Sequence, residues 1–516
     1  DGTHAFGMHM ARAGFDWSPN KYHTFGMQAS LRQRGRNGTS ETLQSFWWPD
    51  GELLARTLST SSSLHDHLNY DLNAHHKVTF TSSQHFLSTD LTWSRGEGLM
   101  ESTVLEDSLD LSFAPVALAR HQRTSNDQQN EELRLRVDYA QPFGKQALLE
   151  AGFHADWRHY DGSTRISFSP DRSEAFVIDP DRSNDFIYDE NIYAAYVTYG
   201  HQWDRFSAKA GLRAEHVVTH SMLEQTQETF DLNYQSLYPS LHLQYTLPAD
   251  QELTFGYSRR VSRPRARQIN PFTDYSNPYM LRTGNPFLRP EYSHVAELGW
   301  QRYFKTANVG LTLYYRQTND AVQRIVKPLD ELVSVATYEN AGTRRAWGAE
   351  WTFGASPWRW WRLQGSFDLS RAEVSGETES IEFSNEATVW SGRLSQTFRL
   401  PANLTLQLNT RYRGPRVLPQ GTMKGIFMAD VGLRMQVLQR KGTLSLRVRD
   451  PLNTMRFEMH TADSRLEQDL WRRRISRSAS LSFTYRFGNM QNGERNRRNR
   501  RSNGEEEEPD MEEFGF

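Results

Sequence analysis

Apolar and polar side chains alternate with a period of two through much of this chain, and that feature restricts the fold more than any other. Leu133, Leu135, Val137 and Tyr139 interleave with Glu132, Arg134, Arg136 and Asp138. Phe206, Ala208, Ala210, Leu212 and Ala214 stand against Ser207, Lys209, Arg213 and Glu215. Leu404, Leu406 and Leu408 alternate with Thr405, Gln407, Asn409 and Arg411, and Leu444, Leu446 and Val448 with Ser445, Arg447 and Arg449. The last such run sets Leu481, Phe483, Tyr485 and Phe487 against Ser482, Thr484 and Arg486. Successive side chains of a strand point to opposite faces, so these segments are strands with one apolar and one polar face. A helix would group apolar residues three and four apart, and no long segment does so.

The connections carry a second pattern. Short turns at 18–21, 141–145, 201–204, 248–251, 305–308, 356–357, 401–403 and 439–442, with a looser one near 74–83, alternate with long polar stretches. The long ones cover 34–60, 95–130, 160–186, 219–235, 263–290, 375–386 and 453–472. Short turns at one end and long loops at the other are the asymmetry of a transmembrane barrel. Aromatic residues crowd the short-turn end: Trp17, Tyr22, Phe143, Trp203, Phe206, Tyr303, Phe304, Trp358, Trp360 and Trp361. Such rings favour a membrane interface, where one side is apolar and the other wet. Many strands read as about 10–14 residues, longer than the ~5–6 usual in soluble sheets and sufficient for a tilted crossing. A propeller would repeat a motif every ~40–50 residues, and no such repeat is visible.

Composition conceals this class. The chain is 37% hydrophobic with a mean hydropathy of −0.73, which reads as soluble, but a barrel with one polar face averages to such values. No apolar run approaches the ~20 residues of a membrane-spanning helix. The 60 basic and 62 acidic residues nearly cancel, so no global field favours nucleic acid. Cysteine is absent, which excludes disulfides and thiol chemistry.

Several stretches resemble a known family. They are YPSLHLQY at 238–245, LTFGYSRRVSRP at 253–264, NPFTDYSNP at 270–278, RTGNP at 282–286 and PEY at 290–292. FIYDE at 186–190, YAAY at 193–196, GLRAE at 211–215 and SLSFTYRFG at 480–488 continue the series. Together they resemble the outer-membrane β-barrel family of TonB-dependent receptors of Bacteroidetes-like bacteria, over most of 130–488 and more loosely over 1–130. The resemblance implies an all-β, transmembrane antiparallel barrel of 22 strands in the bacterial outer membrane, of which about 19 are visible here. It also implies a plug domain in the lumen, a TonB complex that supplies energy, outer-membrane lipid around the wall, and a surface lipoprotein as a further partner.

Strand parity adds an expectation. The first strand, roughly 6–17, runs into a short turn, so it begins at the long-loop rim. Bacterial single-chain barrels have even strand numbers, so residues 1–488 are expected to form an N-terminally incomplete barrel, the plug and about three strands lying outside it. Residues 489–516, with a basic run at 495–501 and acids from Glu505 to Glu513, are expected to be a charged, disordered tail. The adjoining acidic block argues against a nucleic-acid role for the basic run.

Candidate sites are few. The run from Thr283 to Glu291 combines Gly284 and Asn285, which tolerate positive φ, with Pro286 and Pro290, which fix the backbone. The plainer reading is a shaped turn that leads into a strand. The functional one is a loop that folds into the lumen and meets a ligand through Tyr275, Arg282, Asn285 and Arg289. Histidines gather at His65, His67, His75, His76 and His85, with His4, His9 and His23 earlier, but no carboxylate or cysteine spacing completes a metal site. Arg134, Arg136, Arg213, Arg411, Arg434, Arg447, Arg449 and Arg486 fall on polar faces. Pairing with acids of the wall or plug explains them better than steering of anionic cargo. No nucleophile elbow, zinc spacing or cofactor motif appears, so neither an enzyme nor a cofactor is expected. The leading function is import of a scarce solute: a chelated metal, an oligosaccharide or a peptide. The alternative is a non-transporting barrel serving as membrane anchor or as subunit of a surface or secretion assembly; a passive porin comes third.

Overall fold

The alternating segments are extended in the computed structural model, the last of them as far as Tyr485, and the structure describes residues 2–47, 52–173, 175–275, 280–329, 333–378, 382–439, 441–462, 467–473, 476–485 and 487. One antiparallel sheet holds 20 strands. Leaving aside the two-residue strand Val177–Ile178, 20 less one gives the 19 that run in chain order. They are β1 (Gly2–Trp17), β2 (His23–Trp47), β3 (Leu53–Thr79), β4 (Phe86–Leu109), β5 (Pro115–Phe143) and β6 (Ala147–Phe168). β7 (Asn184–Gln202), β8 (Phe206–Leu223), β9 (Glu228–Leu247), β10 (Gln251–Ser262), β11 (Glu291–Tyr303), β12 (Ala307–Asn319) and β13 (Thr343–Trp358) follow. β14 (Trp361–Glu377), β15 (Glu382–Leu400), β16 (Leu404–Arg413), β17 (Ile426–Val437), β18 (Gly442–Arg449) and β19 (Ser478–Tyr485) complete the series. Each pairs with the next in sequence.

Register identifies the outer face. Leu298 pairs with Leu313, Leu313 with Ala349, Ala349 with Leu369, and Leu369 with Trp390. This apolar row crosses five strands, yet its large side chains are 41–47% exposed. Apolar residues in a row that no protein covers mark a lipid-facing belt. Leu406, Leu433, Leu446 and Leu481 are likewise register partners. Ser445 and Arg447 occupy the opposite, inner face.

The turns explain the tight hairpins. Ala249 and Asp250, Ala402 and Asn403, and Leu438 and Gln439 all have positive φ in consecutive pairs, within loops of only three, three and four residues between the paired strand ends. The aromatic residues expected at this rim are there: Trp17, Tyr22, Phe143, Trp203, Tyr303, Phe304, Trp358 and Trp360 are exposed.

At the opposite end the expected long loops are largely strand. The polar stretches 34–60, 95–130 and 219–235 are mostly continuations of β2 to β5, β8 and β9, while 160–186 continues β6 and β7 only at its two ends. β5 alone has 29 residues, roughly 95 Å at ~3.3 Å each, against a hydrocarbon layer of ~30 Å. Beyond the membrane a ladder has water on both faces, so apolar alternation fades while backbone pairing continues. That is why these parts read as loops. The stretch 489–516 lies outside the described residues.

Candidate functional site

Inner-face burial on β7 locates the most structured part of the mouth. Tyr193, Val197 and Tyr199 are exposed on the outer face, whereas Phe186, Tyr188, Glu190, Ile192 and Ala194 alternate with them and are buried. What covers Phe186, Tyr188 and Glu190 is the described part of the connection 263–290. Its short helix, Ala266–Ile269, drives Ile269 against Phe186, Tyr188 and Leu223, with Tyr160 and Phe272 alongside. The loop therefore folds inward, onto the lumen wall.

An ion-pair ladder holds its root. Arg263 pairs with Glu215 and donates from Nε to the Tyr234 hydroxyl at 3.0 Å, with Glu190 at 3.9 Å. Glu190 accepts from Arg158 at 2.7 Å, and Arg158 reaches Asp156 at 2.9 Å. Arg134 bridges Asp156 and Glu132, and Arg213 pairs with Glu215 at 2.7 Å. Each carboxylate lies between guanidinium groups, the arrangement that makes buried charge tolerable. The seam between loop and wall, lined by Tyr188, Phe230, Arg263, Pro286 and Leu288, encloses only about 20 Å³. That is room for one water, so it is a packing seam and no solute pocket.

Further loops are tied to this one. Met280–Arg282 pairs in parallel with Ser334–Asn340, which pairs with Val322–Pro328. Gln420, from another connection, accepts from Val326 N–H at 2.9 Å and donates to its carbonyl at 2.8 Å, both buried. Asn385 donates to the Leu418 and Pro419 carbonyls. Gly284 comes so close to the loop's own backbone that a Cβ would lie 2.3 Å from the Asn270 oxygen, which only glycine avoids. A second small sheet joins Arg416–Leu418 and Gly421–Met423 to Arg456–Ala462 and Glu467–Arg473. The loops thus form a knit cap rather than independent arms.

The sequence candidates separate within this cap. Asn285 donates to the Tyr338 carbonyl at 3.0 Å and accepts from Phe287 N–H at 3.0 Å, so its side chain is occupied in shaping the turn. Arg289 N–H donates to Asn340 at 2.7 Å, and its guanidinium lies 3.5 Å from Asp320. Tyr275 lies beneath the Arg182 guanidinium at 5.1 Å, a contact between two loops. Arg282 is exposed, on the same face of the three-stranded sheet as Arg324 and Tyr338. Burial, then the nearby Arg282, hold Arg324 below the ordinary arginine pKa, so two like charges share this face. The sequence did not single out Arg263, Glu190, Glu215 or Gln420. Of the ladder, the sequence pointed to Arg134 and Arg213, expected to pair with acids of the wall or plug, but not to their partners on the wall.

The remaining candidates have plainer places. Arg136 pairs with Asp138 at 2.6 Å and Arg447 with Asp430 at 3.0 Å, whereas Arg486 lies outside the described residues. His65 and His67 stand opposite Arg36 and Arg34, neighbours that repel a cation. His23 Nδ1 and His76 Nε2 approach to 3.2 Å. Among the described residues no group of three or more His, Asp or Glu could hold a metal ion.

Known proteins agree with this architecture. The sequence matches the outer membrane protein beta-barrel family over residues 78–485. A comparison with curated proteins finds no match. Among solved structures the chain is similar to the copper transporter OprC, at TM-score 0.60 and 11% identity, over 93% of this chain and 80% of that one. It is similar to BauA, the ferric preacinetobactin receptor from Acinetobacter baumannii, at 0.55 and 14%, over 94% and 79%. The ferric yersiniabactin uptake receptor FyuA from Yersinia pestis gives 0.51 and 12%, over 92% and 79%. At such identities the likeness shows the fold alone. The family match spans most of the chain, and the chain belongs to the outer membrane protein β-barrel family.

Proposed function

We propose that this barrel imports a scarce solute across the outer membrane as part of a TonB-dependent receptor, with a plug domain in its lumen and a TonB complex supplying energy. The observation that carries this reading is the inward-folded connection 263–290, held on the wall by Arg263 and knit to neighbouring loops. A passive pore needs an open mouth, whereas a receptor needs a shaped one whose closure against bulk flow is relieved by binding. Arg282, with Tyr275 and Arg289 nearby in sequence, stands where an incoming solute would meet the cap; Asn285 supports the turn beneath. A chelated metal, an oligosaccharide and a peptide all suit a polar mouth. The cargoes in the neighbours' names set only the order in which solutes are tried, metal chelates first. A surface lipoprotein would be a partner at the same rim.

Uptake by cells carrying the full-length receptor tests the reading. Accumulation of the solute should require the barrel and should vanish when the TonB complex is removed. Uptake that persists without that complex would favour a pore. A barrel that binds and imports nothing would favour the anchor role.

A further inference from the structure

The short-turn rim is not uniform around the barrel. The hairpins β11–β12 and β13–β14 are neighbours, joined at their tips by a backbone hydrogen bond from Ser356 N–H to the Thr306 carbonyl at 2.8 Å. There Trp358 stacks on Trp360 at 5.6 Å and on Trp361 at 5.5 Å, and Trp361 stacks on Phe398 at 5.9 Å. Register gives their direction. Trp361 lies on the strand face that carries Phe367 and Leu369 of the lipid-facing belt, and it pairs with Trp358 and Phe398. The stack therefore faces outward at the end of the span, where hydrocarbon meets headgroups.

Cations accompany these rings. Arg302 continues the every-second-residue series of the belt residues Leu298 and Trp300, so it too faces outward. Its guanidinium lies 4.6 Å over the Phe304 ring, and its Nε is buried with no hydrogen-bond partner among the described residues. Lys305 and Arg359 occupy exposed turn tips. No acidic residue occurs in 298–319, 351–367 or 387–429, so these hairpins supply no counter-charge of their own. The turn at Trp203 offers an internal contrast. Its Trp203 and Phe206 also stack, at 5.3 Å, but Asp204 sits beside Arg205.

The geometry points to a binding site for anionic phospholipid of the periplasmic leaflet on these two hairpins, with Arg302, Lys305 and Arg359 meeting the phosphate and the tryptophan stack meeting the glycerol and upper acyl region. This assignment rests on the short turns facing the periplasm and on nothing in the solute-import reading. A guanidinium presents a planar fork of donors that matches phosphate oxygens. Each cation near an anionic surface strengthens attachment about fivefold. A zwitterionic lipid would leave that charge uncompensated. An acidic protein segment could meet the cations, but it would not use outward rings at the hydrocarbon boundary.

The full chain, reconstituted in nanodiscs of mixed phosphatidylglycerol and phosphatidylcholine, would be released into a native mass spectrometer and its retained lipids counted. Phosphatidylglycerol should be enriched, and the enrichment should fall with added salt before reconstitution, a readout that needs no variant. Lys305→Ala with Arg359→Ala should lower it about tenfold or more, whereas Arg205→Ala should leave it unchanged. Heat-dependent gel mobility would verify that each variant is folded. Equal retention of both lipids, enrichment indifferent to salt, or full enrichment in the folded double variant would overturn the assignment. So would displacement of the lipid by millimolar inorganic phosphate, or loss of a bound acidic protein in place of lipid.

Discussion

At the scale of single residues, neighbours one position apart on a strand live in different solvents. Leu446 is a register partner of Leu433 and Leu481 on the lipid side, while Ser445 pairs with Arg434 and Ser482 on the inner side. Leu446→Arg should cost about 2–4 kcal/mol if it lies near mid-bilayer, and Ser445→Arg little. Denaturant titration of the barrel folded into vesicles measures both, and the reverse order would invert the facing assignment. Arg263 gives a second residue-scale prediction. Its removal leaves Glu215 and Glu190 buried with less counter-charge, a change that costs about 3 kcal/mol when one partner of a buried pair is lost. Arg263→Ala should therefore speed hydrogen exchange in 264–275 while β12 to β18 keep their protection. Unchanged exchange there would show that the apolar contacts of Ile269 suffice to hold the loop.

At the scale of elements, the sequence was legible wherever two faces meet two solvents. Leu404 to Arg411 and Leu444 to Arg449 alternate cleanly because one face touches lipid and the other a polar lumen. The short turns were legible because residues such as Pro248, Asp250, Pro401 and Asn403 punctuate them, although Ala249, Ala402 and Leu438 also take positive φ there. The upper hairpins of β2 to β9 were not, since a water-bathed ladder needs no apolar face. Nor was the cap, because Gln420 and Val326 are 94 positions apart and the side-chain amide of Gln420 meets backbone groups of Val326 that any residue but proline possesses. The plainer sequence reading of Asn285 as a turn-former agrees with its contacts, whereas the partner of Arg263 depended on how β8 and β10 come together. One connection carries its own pH dependence. Asp450 is buried, which opposes its charge, but its carboxylate accepts from Ser476, from Thr454 N–H and hydroxyl, and from Met455 N–H, and these hold its pKa below the ordinary value. A depressed folded pKa stabilises above the unfolded value of about 3.9 and loses that contribution as pH falls through the folded one. Limited proteolysis near 450–455 should therefore increase only below about pH 4. Asp450→Asn should show the same susceptibility at neutral pH, and a wild-type transition near pH 6 would assign the effect to another group.

At the scale of the whole molecule, the account requires β5 to run from one side of the outer membrane to the other, with long hairpins outside the cell and short turns in the periplasm. These 516 residues contain no cysteine, so within them a single introduced thiol reports one position. Leu111 sits at the exposed tip between β4 and β5, and Lys145 at the exposed turn between β5 and β6. A membrane-impermeant maleimide applied to intact cells should label Leu111→Cys at once and Lys145→Cys only after the outer membrane is breached. Labelling of both positions in intact cells, or of Lys145→Cys alone, would contradict the barrel and its orientation together.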